Sequence, residues 1–249
     1  MIKKVTILGS TGTVGINTLE VIKLNHDKFE VFALTANVNL EKLYHQCVDC
    51  KPRYAVLRDE VMASELGGML SKSDTNTIVL SGVKGLEFVA SHSKVDIVMA
   101  AIVGAAGLAP SISAASSGKT ILLANKEALV MSGNIFIKKI EESGARVLPI
   151  DSEHNAIFQC LPSLAYENQS LKASGVKKLL LTGSGGPFRL TDIEDLENVS
   201  PEEACAHPNW VMGKKISVDS ATMMNKGLEI IEACFLFRVD PSIIDVVIH

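Results

Sequence analysis

Val5-Thr-Ile-Leu8-Gly9-Ser-Thr-Gly12-Thr-Val-Gly15 is the stretch that decides the fold. A short apolar strand runs into a turn with glycines spaced G-x-x-G-x-x-G, and a helical pattern with Val14, Leu19, Val21 and Ile22 follows. Strand, glycine-rich turn and helix form the arrangement that binds dinucleotides. Glycines let the backbone approach a pyrophosphate, and the helix N-terminus offers N–H groups and a positive dipole end. The spacing differs from G-x-G-x-x-G, and a tight βα turn without ligand would read the same way.

Working outward, Glu30–Thr35 is a second strand, ending in Ala36-Asn37-Val38-Asn39. No acid stands there to hold a ribose 2′-hydroxyl, which disfavours NAD. No Arg or Lys stands there for a 2′-phosphate either, so the local lean is to NADP. Further strand signals fall at Tyr54–Leu57, Thr77–Leu80, Asp96–Met99, Thr120–Leu123 and Arg146–Pro149, separated by helical or loop stretches. Apolar strands alternating with helices predict an α/β fold: a Rossmann-like parallel sheet with helices on both faces, over residues 1–150. Ala124-Asn125-Lys126-Glu127-Ala128 closes one of these strands with three polar residues, placed to meet a ligand or to cap a helix.

A second focus is Leu148-Pro-Ile-Asp151-Ser-Glu153-His154-Asn-Ala-Ile-Phe-Gln159, where an apolar strand runs into oxygen ligands. In extended chain Asp151 and Glu153 point to one side, and two such carboxylates must share a proton, meet a cation or bind a metal. Oxygen donors favour Mg²⁺ or Mn²⁺, while His154 between them keeps Zn²⁺ in play. The same residues would also serve as an N-cap and a negatively charged first helical turn.

Beyond Phe158 the pattern changes. Lys177–Thr182 is a strand leading into Gly183-Ser-Gly-Gly-Pro187, whose N–H groups suit an anion nest. A loop with Pro201, His207, Pro208, Trp210 and Gly213 reads as a lid or as an exposed connection. Ser220–Phe235 reads as one amphipathic helix, with Met224, Leu228, Ile231 and Phe235 as its buried stripe. Asn225, Lys226 and Glu229 share its other face, which suits a phosphate beside a metal or a solvated helix side. Residues 151–249 thus read as a second domain of mixed α+β type.

Composition excludes several classes. The 249 residues are 47% hydrophobic and 21% charged, enough for a large core, while a net charge of −4 and 5% aromatic content argue against nucleic acid. The apolar run Ile97–Ala109 is too short to span a membrane, and Met1-Ile-Lys-Lys leads straight into a strand without a signal peptide. Five scattered cysteines suit a reducing compartment, so a cytoplasmic location is expected. Cys47 and Cys50 form a C-x-x-C with no second ligand pair, and they read as helix residues.

Six motifs in order closely resemble the 1-deoxy-D-xylulose 5-phosphate reductoisomerase family: Gly9–Gly15, Ala124–Glu127, Ile150–Gln159, Leu181–Arg189, His207–Trp210 and Ser217–Glu229. The resemblance runs along essentially the whole chain. It implies conversion of 1-deoxy-D-xylulose 5-phosphate and NADPH to 2-C-methyl-D-erythritol 4-phosphate in isoprenoid precursor biosynthesis, by rearrangement of the carbon skeleton and hydride transfer. It implies a divalent cation (Mg²⁺, Mn²⁺ or Co²⁺) on Asp151, Glu153 and Glu229, with Lys126 beside them in the catalytic set. Substrate contacts carry over to Lys126, Ser152, Glu153, Ser184, His207, Ser220, Asn225, Lys226 and Glu229. Cofactor contacts carry over to Thr11, Gly12, Thr13, Val14, Asn37, Asn39, Asn125, Glu127 and Gly213. One departure stands out: Asn37-Val38-Asn39 occupies a segment that is often basic in the family.

A metal-free dehydrogenase is the rival enzyme reading. Its Tyr-x-x-x-Lys is absent, since Tyr44, Tyr54 and Tyr166 are followed four residues later by Val48, Arg58 and Ser170. A non-catalytic nucleotide sensor would not need Asp151, Glu153 and Glu229. The apolar strand pattern Asp245–His249 at the end of the chain suggests an incomplete catalytic domain, and with it a homodimer joined through an exposed edge.

Overall fold

The computed structural model describes residues 1–162, 171–208 and 213–249. The chain divides into two units, Met1–Asp151 and Ser152–His249.

In the first unit, β1 (Lys3–Leu8), α1 (Thr13–Leu24), β2 (Phe29–Ala36), α2 (Leu40–Cys50), β3 (Tyr54–Leu57), α3 (Glu60–Leu70) and β4 (Ile78–Ser81) alternate strictly. They continue into α4 (Gly82–Ser91), β5 (Ile97–Ala100), α5 (Leu108–Ser116), β6 (Thr120–Leu123), α6 (Lys126–Ser143) and β7 (Arg146–Pro149). The seven strands lie in the order β4-β3-β2-β1-β5-β6-β7, and every pair is parallel. Val5–Leu8 are buried without a break, so both faces of β1 are covered, as apolar runs without alternation require. Ile7, Leu34, Leu43, Ala55, Leu57 and Leu66 form the centre of the core on one side. The strand order reverses between β1 and β5, and the crevice beyond the carboxyl ends at such a reversal is where α/β sheets bind ligands. Strand limits differ from the expected ones by up to two residues, mainly at ends where Lys3, Phe29 or Ser81 pair without adding apolar signal.

The second unit contains α7 (Ser152–Cys160), β8 (Leu179–Gly183), α8 (Pro201–Cys205), α9 (Lys214–Ala221), α10 (Met224–Phe237) and β9 (Ile244–Ile248). β8 and β9 pair in parallel. Ile157, Leu171, Leu179, Leu181, Ala233 and Phe237 form the core. Ser200 and Glu203 make a reciprocal capping box at the start of α8.

Three expectations are corrected here. Ser220–Phe235 is divided between two helices: Thr222 N–H and Oγ1 both bond to Val218 O (3.0 and 2.9 Å) in the last turn of α9, and Met224 N–H then turns to Thr222 Oγ1 (3.4 Å). Met223 then turns left-handed, with φ of 61°. The buried stripe of α10 is also reversed: Lys226, Glu229 and Glu232 are buried, whereas Met224 is 55% and Ile231 42% exposed. Those charges pair with one another and with α7, which is the condition under which charge can leave water. Finally, Glu153 lies in the first turn of α7 and not in extended chain, so the helix-start reading of Asp-Ser-Glu describes its backbone.

Candidate functional site

In the first unit the turn after β1 is fitted closely. Gly9 has φ of 85°, and a β-carbon on it would stand 2.8 Å from Ala101 O, just past β5. A β-carbon on Gly15 would come within 2.4 Å of Gly9 O and 2.5 Å of Ser10 Cα, so only glycine lets α1 start this close to the turn. Thr35, at the end of β2, accepts Gly9 N–H through Oγ1 (2.9 Å) and Ser10 N–H through its carbonyl (2.8 Å). Gln46 of α2 donates to Ser10 O at 2.9 Å. Sequence reading does not single out Thr35 or Gln46, because a Thr in a strand and a Gln in a helix carry no signal of their own. Gly12 is the N-cap of α1 without a side-chain cap, and Gly12 and Thr13 are exposed, flanked by half-buried Thr11 and Val14. Such a helix start has N–H groups and dipole to offer an anion.

Asn37 and Asn39 follow β2 and are exposed; Asn39 Oδ1 caps α2 by accepting Lys42 N–H at 3.1 Å. Asn125 is buried and caps α6 through Ala128 N–H (2.9 Å), while its Nδ2 donates to Ile102 O and, at 3.0 Å, to Gly104 O. The capping alternative therefore holds for this side chain, which ties the turn after β5 to the start of α6. Gly107 leaves room for it: a β-carbon there would stand 2.5 Å from Asn125 Nδ2. Lys126 Nζ lies 2.8 Å from Asp151 Oδ2, with both side chains largely out of water. Glu127 follows in the first turn of α6. Turn, Asn125–Glu127 and Asp151 all lie at carboxyl ends of the parallel strands.

In the second unit the acidic and basic candidates meet directly. Lys226 Nζ contacts Glu229 Oε2, donates to Thr182 O and reaches Glu153 Oε1 at 3.3 Å. Asn225 Nδ2 donates to Glu229 Oε1, and Ser152 Oγ donates to Glu153 Oε2 at 2.6 Å. Glu229 is 1% exposed. Two carboxylates thus converge on one cation, a hard-oxygen donor set that fits Mg²⁺ or Mn²⁺. Asp151, two residues before Glu153 in sequence, is the third carboxylate of the expected triad.

His154 belongs elsewhere. Fully buried, its Nε2 donates to Glu229 O at 2.9 Å and its Nδ1 faces Glu232 Oε2 at 3.2 Å, so it pins α7 to α10. His154 thus faces Glu232 and not the Lys226 ammonium on which Glu153 and Glu229 converge.

The segment after β8 touches the remaining candidates. Ser184 Oγ is 3.1 Å from His207 Nε2, and Gly186 N–H donates to Ser184 Oγ at 3.2 Å. Gly185 and Gly186 are both left-handed, and a β-carbon on Gly186 would stand 2.5 Å from Ser220 O. Gly213 is the N-cap of α9. Ser184, His207, Ser220 and Lys226 are therefore gathered around one glycine-rich segment. Trp210, in the loop read as a lid or an exposed connection, lies outside the described residues.

Fold and side chains together define a dinucleotide-fold protein with a second unit built on a buried carboxylate–lysine cluster. The chain belongs to the 1-deoxy-D-xylulose 5-phosphate reductoisomerase family: that family's profile matches residues 5–133, and the profile of its C-terminal domain matches residues 147–237. The 1-deoxy-D-xylulose 5-phosphate reductoisomerase of Aromatoleum aromaticum is 56% identical over 248 residues, which are 100% of this chain and 61% of that protein. The enzyme of the same name from Cellvibrio japonicus is 56% identical, covering 99% and 63%. A crystal structure of DOX-P reductoisomerase in complex with NADPH, fosmidomycin and magnesium superposes with a TM-score of 0.93 at 46% identity, covering 100% of this chain and 61% of that one. The Zymomonas mobilis enzyme in complex with NADPH gives 0.87 at 41% identity, covering 99% and 61%. The chain thus spans about three fifths of the length of these relatives.

Proposed function

We propose that this chain carries the cofactor and catalytic machinery for NADPH- and metal-dependent conversion of 1-deoxy-D-xylulose 5-phosphate to 2-C-methyl-D-erythritol 4-phosphate. The observation that carries the reading is the convergence of Glu153 and Glu229 on a single cationic point, in a family whose crystallised relatives bind NADPH and magnesium. Asp151, Glu153 and Glu229 hold the divalent ion, Mg²⁺ or Mn²⁺, which supplies Lewis acidity for a vicinal hydroxy-ketone. NADPH, held by Thr11–Val14, Asn37, Asn39, Asn125, Glu127 and Gly213, supplies the hydride.

The chain's own groups do the positioning. Ser184, His207, Ser220, Asn225 and Lys226 present hydroxyl, imidazole, amide and ammonium groups to a phosphate, so binding energy remote from the reacting carbons orients them. Lys126 balances the charge of Asp151, and Ser152 steadies Glu153. Asn39 and Asn125 already serve as helix caps, so they present fixed positions, and the absence of an acid at residues 36–39 leaves space for a 2′-phosphate. A cytoplasmic homodimer is part of the proposal. It is supported by free cysteines at all five positions, by the lack among described residues of any helix long and apolar enough to cross a membrane, and by the family resemblance.

The test is NADPH consumption, followed at its near-ultraviolet absorbance, with 1-deoxy-D-xylulose 5-phosphate and with or without EDTA. Expected is consumption that EDTA stops and Mg²⁺ or Mn²⁺ restores. Consumption indifferent to EDTA would contradict the proposal.

A further inference from the structure

The Lys226 ammonium has three N–H donors, and three oxygens meet them: Glu229 Oε2, Glu153 Oε1 and Thr182 O. Its side chain is 8% exposed, and its stem runs over Gly183, where a β-carbon would stand 2.8 Å from Cε and 3.2 Å from Nζ. The missing side chain at residue 183 therefore makes the berth that lets the ammonium reach the carboxylates. Glu229 Oε1 is taken by Asn225, and Glu153 Oε2 by Ser152. Every carboxylate oxygen of this pair already has a donor, and the central one is a positive charge.

We propose that Lys226 is an internal counterion that competes with the divalent cation for Glu153 and Glu229, and that it must leave them before the cation can bind. This deepens the metal-site reading and rests on it. The physical reason is charge balance. A buried carboxylate, Glu229, beside a half-buried one, Glu153, needs a cation, and a lysine on α10, one turn before Glu229, supplies one that stays with the chain. A divalent ion brings more charge at shorter range, so the exchange is downhill, but its affinity is reduced by whatever holds Lys226 in place. The stem of Lys226 runs over Gly183, the residue before Ser184, and Asn225 precedes it in the chain; Ser184 and Asn225 are groups assigned to the phosphate. One event then arms two subsites: the cation takes the carboxylates and the lysine becomes available to the phosphate.

The inference predicts the reverse of the usual result of mutating a site residue. In a Mn²⁺ titration followed by electron paramagnetic resonance, Lys226→Met binds Mn²⁺ on the order of tenfold more tightly than the unaltered chain, because the competitor is gone. Gly183→Ala is the second variant. It keeps the charge but fills the berth against the flexible end of Lys226, and it also tightens Mn²⁺ binding, by a smaller factor. Melting temperatures with and without Mn²⁺ give an independent readout: Lys226→Met gains more from the ion than the unaltered chain does. Equal or weaker Mn²⁺ binding by folded Lys226→Met and Gly183→Ala would overturn the inference and leave the metal site standing. An unaltered chain whose Mn²⁺ binding ignores Glu229→Gln would overturn the metal-site reading, and the inference with it.

Discussion

Gly15 shows how far a single residue can be read. Its place after a strand and a turn marks it in the sequence, and the structure supplies the reason: a β-carbon would strike the backbone of Gly9 and Ser10. Backbone cannot give way as a side-chain tip can, so Gly15→Ala should cost about 2 kcal/mol or more in urea unfolding and weaken NADPH binding with it. Thr35 and Gln46 support the same turn but were not legible, because their role depends on which strands and helices become neighbours. Cys47 was legible as a helix residue. Burial, with a smaller contribution from Cys50, pushes its thiol up to about 12. The thiol is the form favoured by folding, so this contribution to stability is whole below about pH 9 and is lost between about 9 and 12. At pH 8 the native chain should therefore leave Cys47 unalkylated by iodoacetamide, with labelling appearing only in denaturant; rapid native labelling would revive a redox role for the C-x-x-C.

At the scale of elements, the first unit was legible nearly strand by strand, since a parallel sheet covered on both faces announces itself as apolar runs between helices. α10 was not. Its apolar residues have the spacing of a buried stripe, yet Met224 and Ile231 face water while Lys226, Glu229 and Glu232 are inside. Periodicity finds a face but cannot say which face is buried when the polar one carries its own partners on another helix. The break before α10 falls at Met223, whose backbone turns left-handed, a turn that an Ala-Thr-Met-Met sequence does not announce. Thr222→Val, which keeps the shape and removes the bonds of its hydroxyl to Val218 O and Met224 N–H, should cost about 1 kcal/mol in urea unfolding. β9 offers a further test. Val246, Val247 and Ile248 are each 38–40% exposed on a strand paired, among the described residues, with β8 alone. Such an edge favours pairing with another chain, so sedimentation should find a concentration-dependent dimer that Val247→Lys weakens; a monomer at all concentrations would remove this support for a homodimer.

For the molecule as a whole, the account is a division of labour. On the proposed function, Met1–Asp151 supplies the dinucleotide crevice, and Ser152–His249, which holds the carboxylate–lysine cluster, supplies the residues proposed for the phosphate. Cofactor choice belongs to the first unit. With neither an acid nor a base at Ala36–Asn39, fluorescence titration should find NADPH bound more tightly than NADH by a modest factor, and a clear NADH preference would reverse that assignment. Metal binding is proposed for the carboxylates, and it is tested most directly by titrating Mn²⁺ into Glu229→Gln, which keeps the shape of the side chain and its bond to Asn225 while removing the ligand charge. The account predicts Mn²⁺ affinity at least about tenfold below that of the unaltered chain, with NADPH affinity unchanged. Mn²⁺ bound equally well by Glu229→Gln would contradict it.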